Sequence, residues 1–286
     1  MTTSPLADDI RARAVQCRRP DGSRYLSLSL TDALDLARRT GSQVRALEIE
    51  ALKLKVLPER YARNTQTLSL SDQQTLAQSC AGIVGAGGLG GTVAEVLARI
   101  GVGRLRLIDG DRFEEHNLNR QRFAHTDNLG RNKARAGKTQ IERINPAVEV
   151  TDLAVFLDAS NADELIGDAN VVIDCLDQLD ARLVLQKACR RQEVPLVSAA
   201  VAGTSGQLTV IFPGDAGLEN LIGDIAADET RGVETRLGNL PFAVSTLASL
   251  EAAEAVKILL GQNVLLRNRL LIFDLVEPYF EIIQLA

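Results

Sequence analysis

Residues 81–90, AGIVGAGGLG, constrain the fold of this chain more than any other stretch. The stretch begins as a short apolar run typical of a buried strand and then turns abruptly glycine-rich, with Gly85, Gly87, Gly88 and Gly90. Apolar side chains follow at helical spacing from Val93 to Ile100 and stop at Gly101. The pattern predicts a strand, a tight glycine turn and an amphipathic helix.

A glycine turn before a helix presents bare backbone N–H groups at a positive helix end, where a phosphate can approach closely. The GxGxxG pattern alone is weak, since such turns also occur for packing reasons. Here a second apolar run, RLRLI at 104–108, ends at Asp109 and completes a βαβ unit of the expected length. Asp109 is placed to accept hydrogen bonds from a ribose. We therefore expect a nucleotide site.

The composition is that of an ordinary globular protein. At 286 residues and 45% hydrophobic content the chain can bury a substantial core. Its net charge of −5 argues against a general nucleic-acid surface, which would be basic. The sequence has no apolar run that approaches a membrane span, and the first twenty residues lack the apolar core of a signal peptide. We expect a cytoplasmic protein.

The cysteines and histidines are few and scattered. They are Cys17, Cys80, Cys175, Cys189, His116 and His125, with no CxxC pair. Neither a disulfide framework nor a zinc site is expected. Cys80 and Cys175 lie at apolar runs and are expected to be buried thiols, whereas the neighbouring arginines leave a lowered pKa open for Cys189.

Two regions differ in pattern. Residues 1–57 are arginine-rich and predict a small extension of unknown role that docks on the main domain or a partner, with a strand at 25–30 and helices at 31–41 and 42–57. From residue 58 to 286, strands and helices alternate. This predicts an α/β fold: a doubly wound, Rossmann-like, mostly parallel sheet with antiparallel C-terminal strands.

Within the larger region the predicted strands after the βαβ unit lie at 147–156, 170–177, 194–200, 207–212, 269–276 and 279–286, and the predicted helices at 161–167, 179–192 and 241–261. Residues 213–240 are polar and aperiodic, a connection longer than compact domains usually contain. We expect this long crossover loop to be a mobile segment that covers a substrate.

Five polar residues follow the second strand of the βαβ unit, on the same sheet edge as the glycine turn: Asp111, Asn117, Arg120, Gln121 and Lys133. A dinucleotide is held largely by backbone N–H groups, whereas cleavage of a triphosphate needs cations such as Arg120 and Lys133. The set favours ATP over NAD. Each of these residues, taken alone, could also have a role unrelated to a nucleotide. The aspartate could cap a turn, the amides could form hydrogen bonds with loop backbone, and the cations could be solvated.

Asp177 closes the predicted strand at 170–177. A carboxylate at this edge can hold Mg²⁺, which usually binds one or two carboxylates together with substrate phosphates. The alternative is that Asp177 or Asp180 simply caps the next helix.

Several motifs together resemble the ThiF/MoeB/HesA family of ubiquitin-activating-enzyme-like adenylyltransferases. They are GAGGLG, DGDRFEEHNLNRQ, GRNK, INPAVEV and DCLDQ, followed by LVSAAVAGTSGQLTV, SLEAAEAVKILLG and RLLIFDL. The resemblance covers roughly residues 58–286. The combination is highly specific, whereas the first motif alone is shared with every dinucleotide binder.

The resemblance implies roles for individual positions. Gly88 would approach the phosphates, Asp109 would hold the ribose, and residues 116–120 with Lys133 would line ATP. Asp177 would bind Mg²⁺. The segment ERYARN is similar to the family's RYxRQ, which implies a homodimer in which Arg63 reaches the partner's ATP.

The resemblance also implies a reaction. The C-terminal glycine carboxylate of a small ubiquitin-like sulfur carrier with a Gly-Gly end, ThiS-like or MoaD-like as in thiamine or molybdopterin biosynthesis, attacks the α-phosphorus of ATP. Because that carboxylate is already ionised near neutral pH, no general base is required. Catalysis would then rest on positioning and charge neutralisation by Arg120, Lys133, Arg63 and Mg²⁺.

The chain departs from many relatives in its cysteines. It has no CxxC pairs and no cysteine after Cys189, so neither a structural zinc nor a covalent link to the substrate is expected. Two alternatives therefore stay open. The acceptor could be the carboxylate of a small molecule, a peptide or a modified tRNA base, or the chain could be a non-catalytic binding module of the same fold.

Overall fold

The structure is a computed structural model that describes residues 5–219, 234–264 and 266–285. The N-terminal residues form a small unit of helices α1 (Pro5–Arg13), α2 (Leu30–Thr40) and α3 (Val44–Lys53) and strands β1 (Val15–Arg18), β2 (Arg24–Leu28) and β3 (Val56–Pro58). β2 pairs antiparallel with β1 and parallel with β3. Apolar side chains from all three helices and two strands form its core, including Ile10, Leu28, Leu36, Leu47 and Val56.

Local signals explain α2 but not the end of α3. Ser29 caps α2 by accepting the N–H of Asp32, and Gly41 ends it with φ 68°. The helix predicted at 42–57 is too long, because the structure has α3 at Val44–Lys53. It ends at Lys53 because Lys55 has φ 60° and the next residues pair with β2 as strand β3. β3 therefore includes Pro58, one residue beyond the predicted end of the extension.

The apolar runs of the larger region form one eight-stranded sheet. Its strands are β4 (Cys80–Val84), β5 (Arg104–Ile108), β6 (Glu149–Leu153), β7 (Val171–Asp174), β8 (Leu196–Ala202), β9 (Ser205–Ile211), β10 (Arg269–Asp274) and β11 (Tyr279–Gln284). The order is β11-β10-β9-β8-β7-β4-β5-β6. Pairs from β8 to β6 are parallel and those from β8 to β11 antiparallel, which confirms the predicted fold class. The strand predicted at 147–156 is shorter than expected.

Helices cover both faces of this sheet. They are α4 (Leu70–Gln78), α5 (Gly88–Ile100), α6 (Lys133–Ile144), α7 (Ala162–Ile166), α8 (Leu179–Arg191), α9 (Glu234–Leu237) and α10 (Pro241–Leu259). On β7, Val171 and Ile173 face the core with α5, α6 and α10, while Val172 faces the core with α7 and α8. Successive strand residues point to opposite faces, so apolar runs fill both cores.

The order of the strands creates the crevice in which a ligand can bind. From β4 the chain proceeds outward to β5 and β6, then returns to place β7 on the other side of β4. In open α/β sheets, ligands bind at the carboxyl ends of the strands where the order reverses. The glycine turn follows β4, and Asp177 follows β7, so both lie at this edge.

Residues 220–233 of the predicted covering segment lie outside the described residues. Within the described ranges, no helix combines the length and the apolar character needed to cross a membrane.

We predict that Gly103→Ala destabilises the protein without involving the crevice. A β-carbon at Gly103 would lie 1.8 Å from the Ala77 carbonyl oxygen, so backbone must move. We expect a loss of about 2 kcal/mol or more in the free energy of unfolding, measured by urea denaturation. Gly214→Ala is the matched control, since a β-carbon there has nothing within 4 Å. Equal stability of the two variants would contradict this packing argument.

Candidate nucleotide site

The glycine turn between β4 and α5 is built by close backbone approach. Gly85 has φ 93°, and a β-carbon there would lie 2.5 Å from the Cys175 carbonyl oxygen. A β-carbon at Gly90 would lie 1.8 Å from the Gly85 carbonyl oxygen. α5 begins after Gly87 with no side-chain cap. Its first N–H groups therefore need another acceptor, and a phosphate at a positive helix end fits that need.

Asp109 fastens this turn to the loop that follows β5. The Ala86 N–H donates to Oδ2 at 2.7 Å and the Asp111 N–H donates to Oδ1 at 2.8 Å. Burial raises the pKa of Asp109, while these two donors oppose the rise. Each carboxylate oxygen can accept more than one hydrogen bond, so the predicted contact with a ribose hydroxyl is compatible with this arrangement.

Lys133, the first residue of α6, is buried, and its ammonium lies 2.5 Å from Oδ2 of Asp111. Asn132 caps the helix by accepting the Arg135 N–H and donates to the Asp109 carbonyl oxygen, so α6 starts beside the same loop. Partial burial acts to raise the pKa of the Asp111 carboxylate, but the hydrogen bond from Lys133 lowers it, and the pKa lies below its ordinary value. Lys133 is therefore a fixed cation rather than a solvated one.

Arg120 is a half-buried cation without a carboxylate partner in the described ranges. Its Nη1 donates to the His116 carbonyl oxygen at 3.1 Å and to Oδ1 of Asn119 at 2.8 Å. Burial lowers the pKa of Arg120, as expected for a charge that has lost water without gaining a counter-ion. Its Cγ lies 3.6 Å from where a β-carbon of Gly88 would be. An anion at the glycine turn would compensate this charge.

The two predicted amides have different surroundings. Asn117 is buried, and its Oδ1 accepts the Glu114 N–H at 3.0 Å, which is the loop-bonding role left open above. Gln121 is 7% exposed, and its Oε1 has no hydrogen-bond partner in the part of the chain that the structure describes. Its Nε2 lies 3.6 Å from a β-carbon position at Gly87. An unpartnered buried amide beside the turn suits a polar ligand.

Asp177 is exposed in the short loop between β7 and α8. The N-cap position of α8 belongs to Gln178, which makes no side-chain cap, so Asp177 does not occupy it. No side chain among the described residues pairs with Asp177, and a single carboxylate next to bound phosphates is the usual setting for Mg²⁺. Across the described ranges, no three His, Cys, Asp or Glu side chains form a group suited to a metal ion.

An ion pair that sequence patterns did not reveal supports this loop. Asp174, at the end of β7, is fully buried and accepts from Arg182 Nε at 2.8 Å and from Ser198 Oγ at 2.7 Å. Arg182 also donates to the Ala199 carbonyl oxygen. Because β7, α8 and β8 meet here, the base of the Asp177 loop is fixed. The sequence placed Asp174 in a predicted strand and Arg182 in the next predicted helix, and no local pattern indicated that the two side chains meet.

Arg63 lies far from the glycine turn of its own chain. Its neighbours Tyr61 and Asn64 contact the C-terminal end of α5, at Gly101 and Ile100. With 12 steps along α5, that end lies about 18 Å from the turn at 1.5 Å per residue. Arg63 is exposed and has no partner within the described residues.

Cys80, Cys175 and Cys189 lie in environments that suppress thiolate formation. Burial raises the pKa of Cys80 to about 11 and that of Cys189 to about 12, and it raises the pKa of Cys175 as well. The lowered pKa left open for Cys189 is therefore wrong, since burial and the Asp174 carboxylate both raise the pKa of this thiol. Cys17 is only half-buried, in strand β1.

Comparison with known proteins matches residues 61–286 to the ThiF family. The chain is 33% identical over 243 residues to the SAMP-activating enzyme E1 of Haloferax volcanii, covering 82% of this chain and 86% of that protein. It is 37% identical over 225 residues to the vegetative HesA protein of Trichormus variabilis, covering 78% and 83%. It is 32% identical over 255 residues to the adenylyltransferase and sulfurtransferase MOCS3 of Drosophila sechellia, covering 86% of this chain but 56% of that protein.

Two solved structures share the fold. Escherichia coli MccB with ATP superposes with a TM-score of 0.70 at 22% identity, covering 79% of this chain and 72% of that chain. PaaA gives a TM-score of 0.66 at 24% identity, covering 88% and 84%.

We predict that a thiol reagent at pH 8 modifies Cys17 first in the folded protein. A thiol whose pKa is about 12, as at Cys189, has a thiolate fraction of only about 10⁻⁴ at that pH, and burial also blocks access. Mass spectrometry after brief labelling checks this. In Cys17→Ser the fast phase should disappear, and rapid labelling of Cys189 would contradict the account.

Proposed function

Because the chain belongs to the ThiF family, a family of ATP-dependent adenylyltransferases, we propose that it activates the C-terminal glycine carboxylate of a small ubiquitin-like sulfur carrier as an acyl adenylate. The observation that carries the proposal is Arg120, a half-buried cation that has no counter-ion among the described residues and lies beside an uncapped glycine turn. The relatives named as a SAMP-activating enzyme and as an adenylyltransferase and sulfurtransferase support this acceptor class.

The residues of the site contact different parts of the nucleotide. Asp109 binds the ribose, and the N–H groups at the start of α5, from Gly87 to Gly90, donate to the phosphates. Gln121 and Arg120 border the turn from the following loop. Lys133 supplies a second cation, held in place by Asp111. Asn117 keeps the loop folded through its contact with Glu114.

In the reaction, a carboxylate oxygen of the acceptor attacks the α-phosphorus, and the bond from that phosphorus to the bridging oxygen of pyrophosphate breaks. The electron pair leaves with pyrophosphate, and no proton moves, because the acceptor carboxylate is ionised near neutral pH. Negative charge develops around the phosphorus and on the leaving group. Arg120 and Lys133 neutralise it as preorganised groups. Mg²⁺ at Asp177 would add further charge neutralisation on the phosphates.

Arg63 completes the site from a second copy of the chain. The chain's own site is about 18 Å away along α5, and Arg63 is exposed without a partner among the described residues. A homodimer that brings this arginine to the partner's phosphates accounts for both facts. Sulfur transfer to the activated carrier would then require another protein, since the chain has no cysteine after Cys189.

The experiment that tests the proposal is ATP–pyrophosphate exchange with Mg²⁺, run first without acceptor and then with a panel of carriers ending in Gly-Gly. Exchange that depends on one carrier supports acyl adenylation and identifies the acceptor. If only a peptide or a small-molecule carboxylate supports exchange, the acceptor belongs to that class and not to the sulfur carriers. Absence of ATP binding would leave a binding module as the better account.

We predict that Arg120→Ala lowers the exchange rate by about 10²- to 10³-fold, the usual loss for one charge-stabilising group. Circular dichroism and melting temperature should stay close to those of the wild type, because Arg120 makes no ion pair with any residue that the structure describes. Arg135→Ala is the matched control, an exposed arginine on α6. Near-normal exchange by Arg120→Ala would refute its assignment to the site.

We also predict that Arg63→Ala loses exchange and that activity returns in mixed dimers. If Arg63 acts across the interface, combining Arg63→Ala with Arg120→Ala subunits restores one intact site per mixed dimer. Each variant alone should be nearly inactive. If mixed dimers form but exchange does not return, Arg63 does not act in the partner's site.

A further inference from the structure

The segment that carries Arg63, residues 59–64, is clamped between the N-terminal unit and the large sheet domain. It follows β3 directly, forms a single 3₁₀ turn at Glu59–Tyr61 and continues toward α4. Short connections of this kind usually lie on the surface with few ties. Here nearly every residue around the arginine is held by a side-chain contact.

The N-terminal unit holds the segment through a buried ion pair. Arg60 Nη2 lies 2.6 Å from Oε1 and 2.7 Å from Oε2 of Glu48 on α3, whose side chain is 3% exposed. One residue earlier, the Glu59 carboxylate accepts from the hydroxyls of Tyr25 and Ser27 on β2. Two consecutive residues of the segment are therefore fixed by two elements of the unit.

The large domain holds the same segment from the other side. Arg60 Nε donates to Oδ1 of Asn145 at 3.0 Å, and Asn145 Nδ2 in turn donates to the Tyr61 hydroxyl and to the Ala98 carbonyl oxygen, both at 2.8 Å. Asn145 stands at the end of α6 and Ala98 near the end of α5. Arg60 thus joins the N-terminal unit to two helices of the large domain.

Asn64 closes the clamp on the far side of Arg63. Its Nδ2 donates to Oε1 of Gln73 at 3.0 Å, and Gln73, which is fully buried, donates to the Ile100 carbonyl oxygen at 2.8 Å. Gly101 has φ 100°, and a β-carbon there would lie 2.8 Å from the Tyr61 ring and 2.5 Å from Gln73. No larger residue fits at Gly101 unless Tyr61 and Gln73 move. Arg63 alone projects from the clamp without a partner among the described residues.

We propose that the N-terminal unit is a positioning device: through the Glu48–Arg60 ion pair, it holds Arg63 in the orientation in which it reaches the partner subunit's nucleotide. The inference rests on the proposed function, because it needs a composite site. A buried ion pair contributes little net stability compared with apolar side chains of similar size, but it fixes geometry. Displacement of a catalytic group by about 1 Å can cost about 10²-fold in rate. Glu48 and Arg60 are positioning residues that touch no substrate.

The test compares two ways of removing the ion pair. Glu48→Gln leaves the Arg60 charge buried without a partner. The double variant Glu48→Leu, Arg60→Met is therefore measured alongside it, because this variant leaves no buried charge. We expect both to lower the maximal exchange rate by about 10-fold or more while the KM for ATP changes less. Glu50→Gln is the matched control, since Glu50 lies on the same helix in an exposed pair with Lys53. An unchanged rate in a folded double variant would overturn the proposal.

A double-mutant cycle separates positioning from general weakening. If Glu48 acts through Arg63, adding Glu48→Gln to Arg63→Ala should lower exchange no further than Arg63→Ala alone. Losses that multiply in the combined variant would overturn the proposal. Because Arg63→Ala is measured by itself, an active Arg63→Ala enzyme would instead show that the composite site fails.

A second readout does not depend on activity. Local backbone hydrogen bonds order residues 59–68: the N–H groups of Ala62, Asn64 and Leu68 donate to the carbonyl oxygens of Glu59, Tyr61 and Asn64. In the double variant, amide hydrogen exchange over residues 61–68 should accelerate at least 10-fold, as expected when a local tie is lost, and it should stay at the wild-type rate in Glu50→Gln. Unchanged protection in the double variant would show that the N-terminal unit does not order this segment.

Discussion

The Asp109 carboxylate is the contact on which the rest of the site depends. It accepts one N–H from the glycine turn after β4 and one from the loop after β5, so it fixes the turn and the loop relative to each other. Gly85 presses against the backbone of Cys175, which adds the end of β7 to the same assembly. Three strand ends are thereby fixed together. The start of α5, Arg120, Lys133 and the Asp177 loop take their positions from this arrangement.

The sequence predicted those parts of the fold that follow from local patterns. Glycines required by backbone contact can be recognised because no other residue fits, as at Gly85 and Gly90. Apolar runs identified the strands, and Gly41 marked the end of α2, whereas the cap at Ser29 lies inside the strand predicted at 25–30. The placement of Asp109 beside the turn also followed, since adjacent parallel strands end at the same edge. The assignment to the ThiF family came from several such motifs together.

The remaining features depend on contacts between residues distant in sequence. β3 is a strand because β2 lies beside it, and its own three residues could not indicate that pairing. The Asp174–Arg182–Ser198 network joins three elements that only the folded sheet brings together. The raised pKa of Cys189 results from burial, whereas its sequence neighbours suggested the opposite. Similarly, the Glu48–Arg60 pair gives the N-terminal unit a contact that composition did not reveal.

Acyl adenylation requires that a carboxylate oxygen of the acceptor attacks the α-phosphorus of ATP. Oxygen-18 placed in that carboxylate tests it most directly, because the oxygen that bonds to phosphorus stays with AMP when the adenylate is later cleaved at its carbonyl carbon. After turnover with excess ATP, mass spectrometry should find the label in AMP and none in pyrophosphate. Unlabelled AMP, or ADP and phosphate as the products, would contradict acyl adenylation by this chain.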